Sequence, residues 1–214
     1  MSTPEATAGD PGRPPRRRVH TRARLMDAAG RILVERGYGQ TTVEEMCAAA
    51  GYTRGAFYSS FGSKQDLVLA LFDRHSAHRL DQLEALLDAA SPDMIHRVAR
   101  AFLEVDPAEQ GWILLFLEFR LEAARNAKLR AKLHEHDQAV TDALAQLLER
   151  AQAVGPSRGT VPFRSLASVL LAAREGILAR TASGGSSGQE TLAAAIDVLA
   201  EVLPALLPAL GGVR

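Results

Sequence analysis

Residues 41–67 read TTVEEMCAAAGYTRGAFYSSFGSKQDL, and their punctuation decides the fold. Thr41 or Thr42 offers a hydroxyl to cap a helix N-terminus, and Glu44 and Glu45 favour that positive helix end. Val43, Met46, Cys47 and Ala50 recur at helical spacing and give a short helix one apolar stripe. Gly51 breaks it, because glycine enters the left-handed region at little cost. Thr53 caps a second short helix, Arg54 to about Ser60, whose Phe57 is set to plug a small core. Ser63 caps a longer helix, with Asp66 three residues on in a near capping box. Two short helices across a tight turn, followed at once by a third, form the layout of a helix-turn-helix, which places its second helix in the DNA major groove.

Upstream, Leu25, Ala28, Ala29, Ile32 and Leu33 predict a helix over about residues 21–36, with Gly37 as its C-cap and Tyr38-Gly39 as a link. Residues 1–18 are Pro, Gly, Ala and Arg with almost nothing to bury, and are expected to be disordered when free. Formal net charge is zero, but its distribution is uneven. Arg13, Arg16, Arg17, Arg18, Arg22, Arg24, Arg31 and Arg36 face only Asp27 and Glu35 over residues 11–36. A basic end on a neutral chain is what a phosphate-binding head on an ordinary body would show.

Downstream the pattern is helical throughout, over about residues 63–88, 92–104, 107–125, 127–152, 162–182 and 188–209. Proline pairs and the loops GPSRGTVP (155–162) and SGGSSG (183–188) mark the breaks, and Pro204 and Pro208 are expected to kink or fray the last turn. No segment alternates as a strand, so the fold class is all-α.

Several function classes are excluded. Cys47 is the single cysteine, so no intramolecular disulfide forms, and its apolar position reads as core. No apolar run reaches the roughly 18 residues of a membrane span, and no signal peptide is expected, which together predict a soluble, cytoplasmic chain. No nucleophile-base pair, glycine-rich phosphate loop or metal spacing supports an enzyme, and no cofactor is expected. His134 and His136, two apart, point to different sides of a helix; His75 and His78 share a face but lack a third ligand, so no metal site is expected.

The residues Ala28-Ala29, Gly37-Tyr38, Thr41-Thr42-Val43, Ala50-Gly51-Tyr52-Thr53-Arg54-Gly55-Ala56-Phe57-Tyr58, Phe61, Ser63-Lys64 and Asp66-Leu67 fall in one order with tight spacing. Over about residues 21–72 the chain resembles the tetracycline-repressor (TetR) family of transcriptional regulators. Tyr52 and Phe57 depart from the family's commoner residues but keep bulk, and Met46 and Cys47 replace a commoner Ile-Ala. The resemblance implies a basic arm (residues 1–17), a helix-turn-helix DNA-binding domain (18–78, motif about 41–60) and a helical effector-binding and dimerisation domain (79–214). It implies a ligand-responsive homodimeric repressor on a palindromic operator, or an activator of the same fold; a helical scaffold without DNA binding is the reading from another class.

Individual residues carry these expectations. Thr42 and its helix end could hold a phosphate or simply cap. Thr53 caps and touches the DNA backbone. Arg54 is the candidate for a guanine edge, against a phosphate contact or plain solvation. Gly55 is small enough for close approach to the duplex, and Ser59 lies on the same helix. The family's matching tyrosine contacts phosphate, which Tyr58 inherits, against simple packing. Lys64 is expected on a phosphate, and Arg16, Arg17 and Arg18 along the minor groove or backbone, against solvated groups. Trp112, Phe116 and Phe119, four and three apart, share a face that lines an effector pocket for an unknown small molecule or else forms plain core. Glu118 and Arg120 flank it and read as a solvated face, against a polar anchor for a ligand. The last two predicted helices carry more apolar surface than one bundle face needs (Leu166, Val169, Leu170, Ala173 and Ile177; Leu192, Ile196, Leu199, Val202, Leu203 and Leu206), which predicts a four-helix dimer interface, against packing within the chain.

Overall fold

Helix α1 (Arg16–Arg36) ends where its sequence stops it: Gly37 takes φ 84° and donates its N–H to the Leu33 carbonyl at 2.8 Å. The computed structural model describes residues 16–88, 94–103, 107–152 and 162–206. After α1 come α2 (Val43–Ala50), α3 (Arg54–Ser60), α4 (Lys64–Asp88), α5 (Met94–Leu103), α6 (Pro107–Arg125), α7 (Ala127–Gln152) and α8 (Phe163–Leu206). Among the described residues every regular element is a helix, so the all-α expectation holds.

Local chemistry sets the α2–α3 unit. Thr42 and Glu45 form a complete capping box: the Glu45 amide donates to the Thr42 hydroxyl at 3.2 Å and the Thr42 amide to the Glu45 carboxylate at 2.8 Å. Gly51 closes α2 at φ 71°, and the Thr53 hydroxyl accepts from the Ala56 amide at 3.2 Å to open α3. At the start of α4 the Asp66 amide donates to the Ser63 hydroxyl at 3.1 Å.

Two hydrophobic clusters organise the chain. The first joins Leu25, Ala29 and Leu33 of α1, Met46 and Cys47 of α2, Phe57 of α3 and Leu67, Val68 and Leu71 of α4, and runs on into Leu115, Phe119 and Ala123 of α6. The second joins Leu83 of α4, Phe102 and Leu103 of α5, Leu144 and Leu148 of α7, and Leu166 and Ala200 of α8. The head thus shares packing with α6, which lies along α1. A Cβ on Gly111 would meet the Val34 side chain at 2.3 Å, and Glu118 accepts from the Tyr38 amide at 2.6 Å.

Three expectations need correction. Helix α1 starts at Arg16, so the backbone of Arg16, Arg17 and Arg18 is helical instead of belonging to a disordered arm; the basic residues extend α1 because arginine is a good helix former and no proline lies between Arg16 and Arg36. Residues 1–15, including Arg13, lie outside the described residues. Helical backbone also continues through residues 183–188, so the two expected last helices form one element, α8. Glycine costs a helix about 1 kcal/mol per residue relative to alanine but does not forbid it, and SGGSSG holds no proline. Finally, Glu118 and Arg120 are not simply solvated, as their bonds show. The loop expected at 155–162 and Pro208 lie almost wholly or wholly outside the described residues.

Candidate nucleic-acid interface and cavity

On α3 the buried and exposed faces divide cleanly. Phe57 is fully buried, whereas Thr53, Arg54, Gly55, Tyr58 and Ser59 are exposed. Tyr58 leans edge-on against Phe57 with centroids 5.2 Å apart, yet stays 48% exposed, so part of the ring packs and the remainder is available. A Cβ on Gly55 would meet only the Thr53 hydroxyl, at 3.7 Å. The protein's own packing therefore does not require glycine there. The Ser59 hydroxyl donates to the Ala56 carbonyl at 2.9 Å.

Arg54 is already engaged. Its guanidinium lies 2.7 Å from the Glu44 carboxylate of α2, and its charged form is favoured by Tyr58 first and then by Glu44. Glu44 thereby joins the candidate interface, although its position in sequence shows only that it favours a helix end; its place across the turn from Arg54 is the signal that finds it. Thr42 is exposed with its hydroxyl bonded to Glu45. Lys64 opens α4, but its ammonium donates to the Tyr38 carbonyl and lies 4.0 Å above the Tyr38 ring. Burial pushes its pKa down, opposed by Glu118, Glu45 and Glu122. Side chains of Arg16, Arg17 and Arg18 lie outside the described residues.

A second site lies in the helical body. A cavity of about 290 Å³ opens between α4, α6, α7 and α8. Trp112 and Phe116 line it. Phe119 does not: it is fully buried in the first cluster, edge-on to Tyr38 and Phe72 at 5.3 Å each. The α6 aromatics serve two faces. Leu115, Phe119 and Ala123, four apart, turn to the head's core, while Phe116 and Arg120 turn to the cavity. Following the face back from Arg120 through Phe116 to Glu109 would have found the polar members.

Those polar groups are ordered. His75 stacks on Trp112 at 4.8 Å and lies 3.3 Å from Glu109. The Arg120 guanidinium donates to both Asp137 oxygens at 3.1 Å and to Glu175 at 2.7 Å. Burial raises the Glu175 pKa against the pull of Arg120. His136 is buried with its Nδ1 2.6 Å from the Asp73 carboxylate. No cluster of three or more His, Cys, Asp or Glu fit for a metal occurs among the described residues, and no helix there is long and apolar enough to cross a membrane.

A capped helix-turn-helix packed on a cavity-bearing helical body defines a DNA-binding transcriptional regulator. Residues 25–71 match the family model for bacterial regulatory proteins of the tetR family, and residues 91–208, more than half of the chain, match that for the C-terminal part of BetI-type transcriptional repressors. The chain belongs to the TetR family, whose members are regulators rather than enzymes. It is similar to the HTH-type transcriptional repressor AcnR of Corynebacterium efficiens, 29% identical over 181 residues that cover 85% of this chain and 91% of the relative. AcnR of Corynebacterium glutamicum matches with the same identity and coverage. A solved TetR-family regulator from Pectobacterium atrosepticum superposes with a TM-score of 0.65 at 26% identity, over 91% of this chain and 98% of that one.

Proposed function

We propose that the protein is a homodimeric repressor that reads a palindromic operator through α3 and releases it when a small molecule fills the body cavity. The exposed face of α3 carries this reading: Arg54, Gly55, Tyr58 and Ser59 point away from a core sealed by Phe57. In it, Arg54 exchanges Glu44 for a base edge, Tyr58 and Lys64 bond phosphates, and Thr42 and Thr53 add hydroxyls at two helix ends. Gly55 lets α3 sit close to the duplex. Arg16, Arg17 and Arg18 lie on the first turn of α1 and add backbone or minor-groove contacts. Residues 18–78 act as the head and 79–214 as the effector and dimerisation body.

Exposed apolar side chains on α8, Val169, Val198 and Val202, support dimerisation through that helix. A dimer holds two heads at half-sites about one DNA turn or a multiple apart. The cavity touches the head directly, since Trp112 lines the one and packs on Gly30 of the other. Light scattering with a gel shift on DNA flanking its own gene tests the reading: a dimer giving a discrete shifted band supports it, and a folded monomer, or a dimer with no band at low salt, contradicts it.

A further inference from the structure

The charged side chains around the cavity are of both signs, Arg79, Arg120 and Arg174 with Glu109, Asp137 and Glu175. Arg120 is bonded to Asp137 and Glu175. Arg79 of α4 and Arg174 of α8 act electrostatically on Glu109, yet among the described residues neither forms a salt bridge to a carboxylate. Both reach the C-terminal turn of α5: Arg79 donates to the Ala101 carbonyl, and Arg174 donates through Nε to the Phe102 carbonyl at 2.8 Å. These carbonyls belong to a helix end that lacks intrahelical partners. That contact orients the two guanidinium groups, and Glu109 balances part of their charge without bonding either. Burial and the neighbouring Arg79 hold Arg174 down to about 10, against Glu109 and Glu175. Two like charges sharing a half-buried wall are relieved by an anion, and a planar guanidinium matches a carboxylate. The adjoining wall is Trp112 and Phe116.

We propose that the cavity binds a small monocarboxylic acid, with its carboxylate between Arg79 and Arg174 and its apolar body along Trp112 and Phe116. At about 290 Å³ the space suits a molecule at the small end of the usual ligand range. This rests on the reading of the body as the effector-responsive half.

Titration calorimetry and thermal shift on the full chain test it, with 3-phenylpropanoate and octanoate as probes beside their neutral amides and 3-phenylpropylamine. The acids are expected to bind at least about tenfold more tightly than the amides. Arg79→Gln and Arg174→Gln are each expected to erase that preference. Acids and amides binding alike, the amine binding best, or no probe acid binding would overturn the proposal and leave the arginines as caps of α5. The comparison of acid with amide on the unaltered chain needs no variant to fold. A gel shift of the ligand-free protein reports separately on DNA binding: its failure strikes the repressor reading and leaves the carboxylate site standing, whereas loss of the acid preference with the band intact strikes the site alone.

Discussion

Trp112 of the cavity wall lies on Gly30 of α1, where a Cβ would stand 3.7 Å from the indole. The same helix pair meets again where a Cβ on Gly111 would fall 2.3 Å from the Val34 Cγ1 and 3.0 Å from its carbonyl oxygen. The two glycines thus differ in what they tolerate. Gly30→Ala adds an ordinary contact and a better helix former, and should be neutral or stabilising by up to about 1 kcal/mol. Gly111→Ala must push α6 from α1 and should cost about 1–3 kcal/mol, with partial rescue by Val34→Ala. Urea unfolding midpoints check both.

In the proposed function, DNA must compete with the Glu44 carboxylate for the Arg54 guanidinium. Arg54→Ala should lose about 1–3 kcal/mol of operator binding if one base contact disappears. Glu44→Gln should instead strengthen binding, since it frees Arg54 and removes a negative charge beside the phosphates. Gel-shift titrations at one fixed salt concentration compare them. Weaker binding by Glu44→Gln would make the pair a strut that positions Arg54.

Asp66 ties the start of α4 to α7 by its ion pair with Lys132, and that bond, then the Ser63 hydroxyl against opposing burial, holds its carboxyl below the usual range. A depressed folded pKa contributes stability that is present above the unfolded value of about 4 and is lost as pH falls through the folded value. Asp66→Asn should therefore cost about 0.5–1.5 kcal/mol near neutrality and flatten the acid limb of stability below about pH 4. Urea titrations from neutral to acid pH read both effects. Glu45, lowered by its bonds to Thr42, acts in the same direction.

Cys47 is 3% exposed in the core of the head, and burial pushes its thiol pKa up. An aromatic disulfide reagent should react with it many-fold more slowly in the native protein than in urea, at a rate that follows opening of the head. Fast native labelling would show that α2 is looser than its packing implies.

The head was legible because its signals are local. Thr42, Gly51, Thr53 and Ser63 act on neighbours within a turn of chain, so their roles follow from spacing. The bounds of α6 and α7 followed likewise, Asn126 sitting between two long amphipathic runs. Pairings between distant residues did not follow. Nothing in the order of residues joins Glu44 to Arg54, Lys64 to the Tyr38 carbonyl or Arg120 to Glu175, because those partners are chosen by helix packing. Phe119 was misassigned because one aromatic helix faces both a core and a cavity, and only the tertiary neighbours divide them. The SGGSSG stretch looked like a loop by composition, yet a helix can carry glycine and serine where no proline forbids it.

Hydroxyl-radical footprinting of the purified protein on DNA flanking its gene, with Arg54→Ala and Tyr58→Phe beside it, tests the role of α3 most directly. Two symmetric protected half-sites are expected about one turn or a multiple apart, lost or blurred in Arg54→Ala and weakened in Tyr58→Phe. Protection without symmetry or sequence preference, or a footprint unchanged by both substitutions, would contradict it.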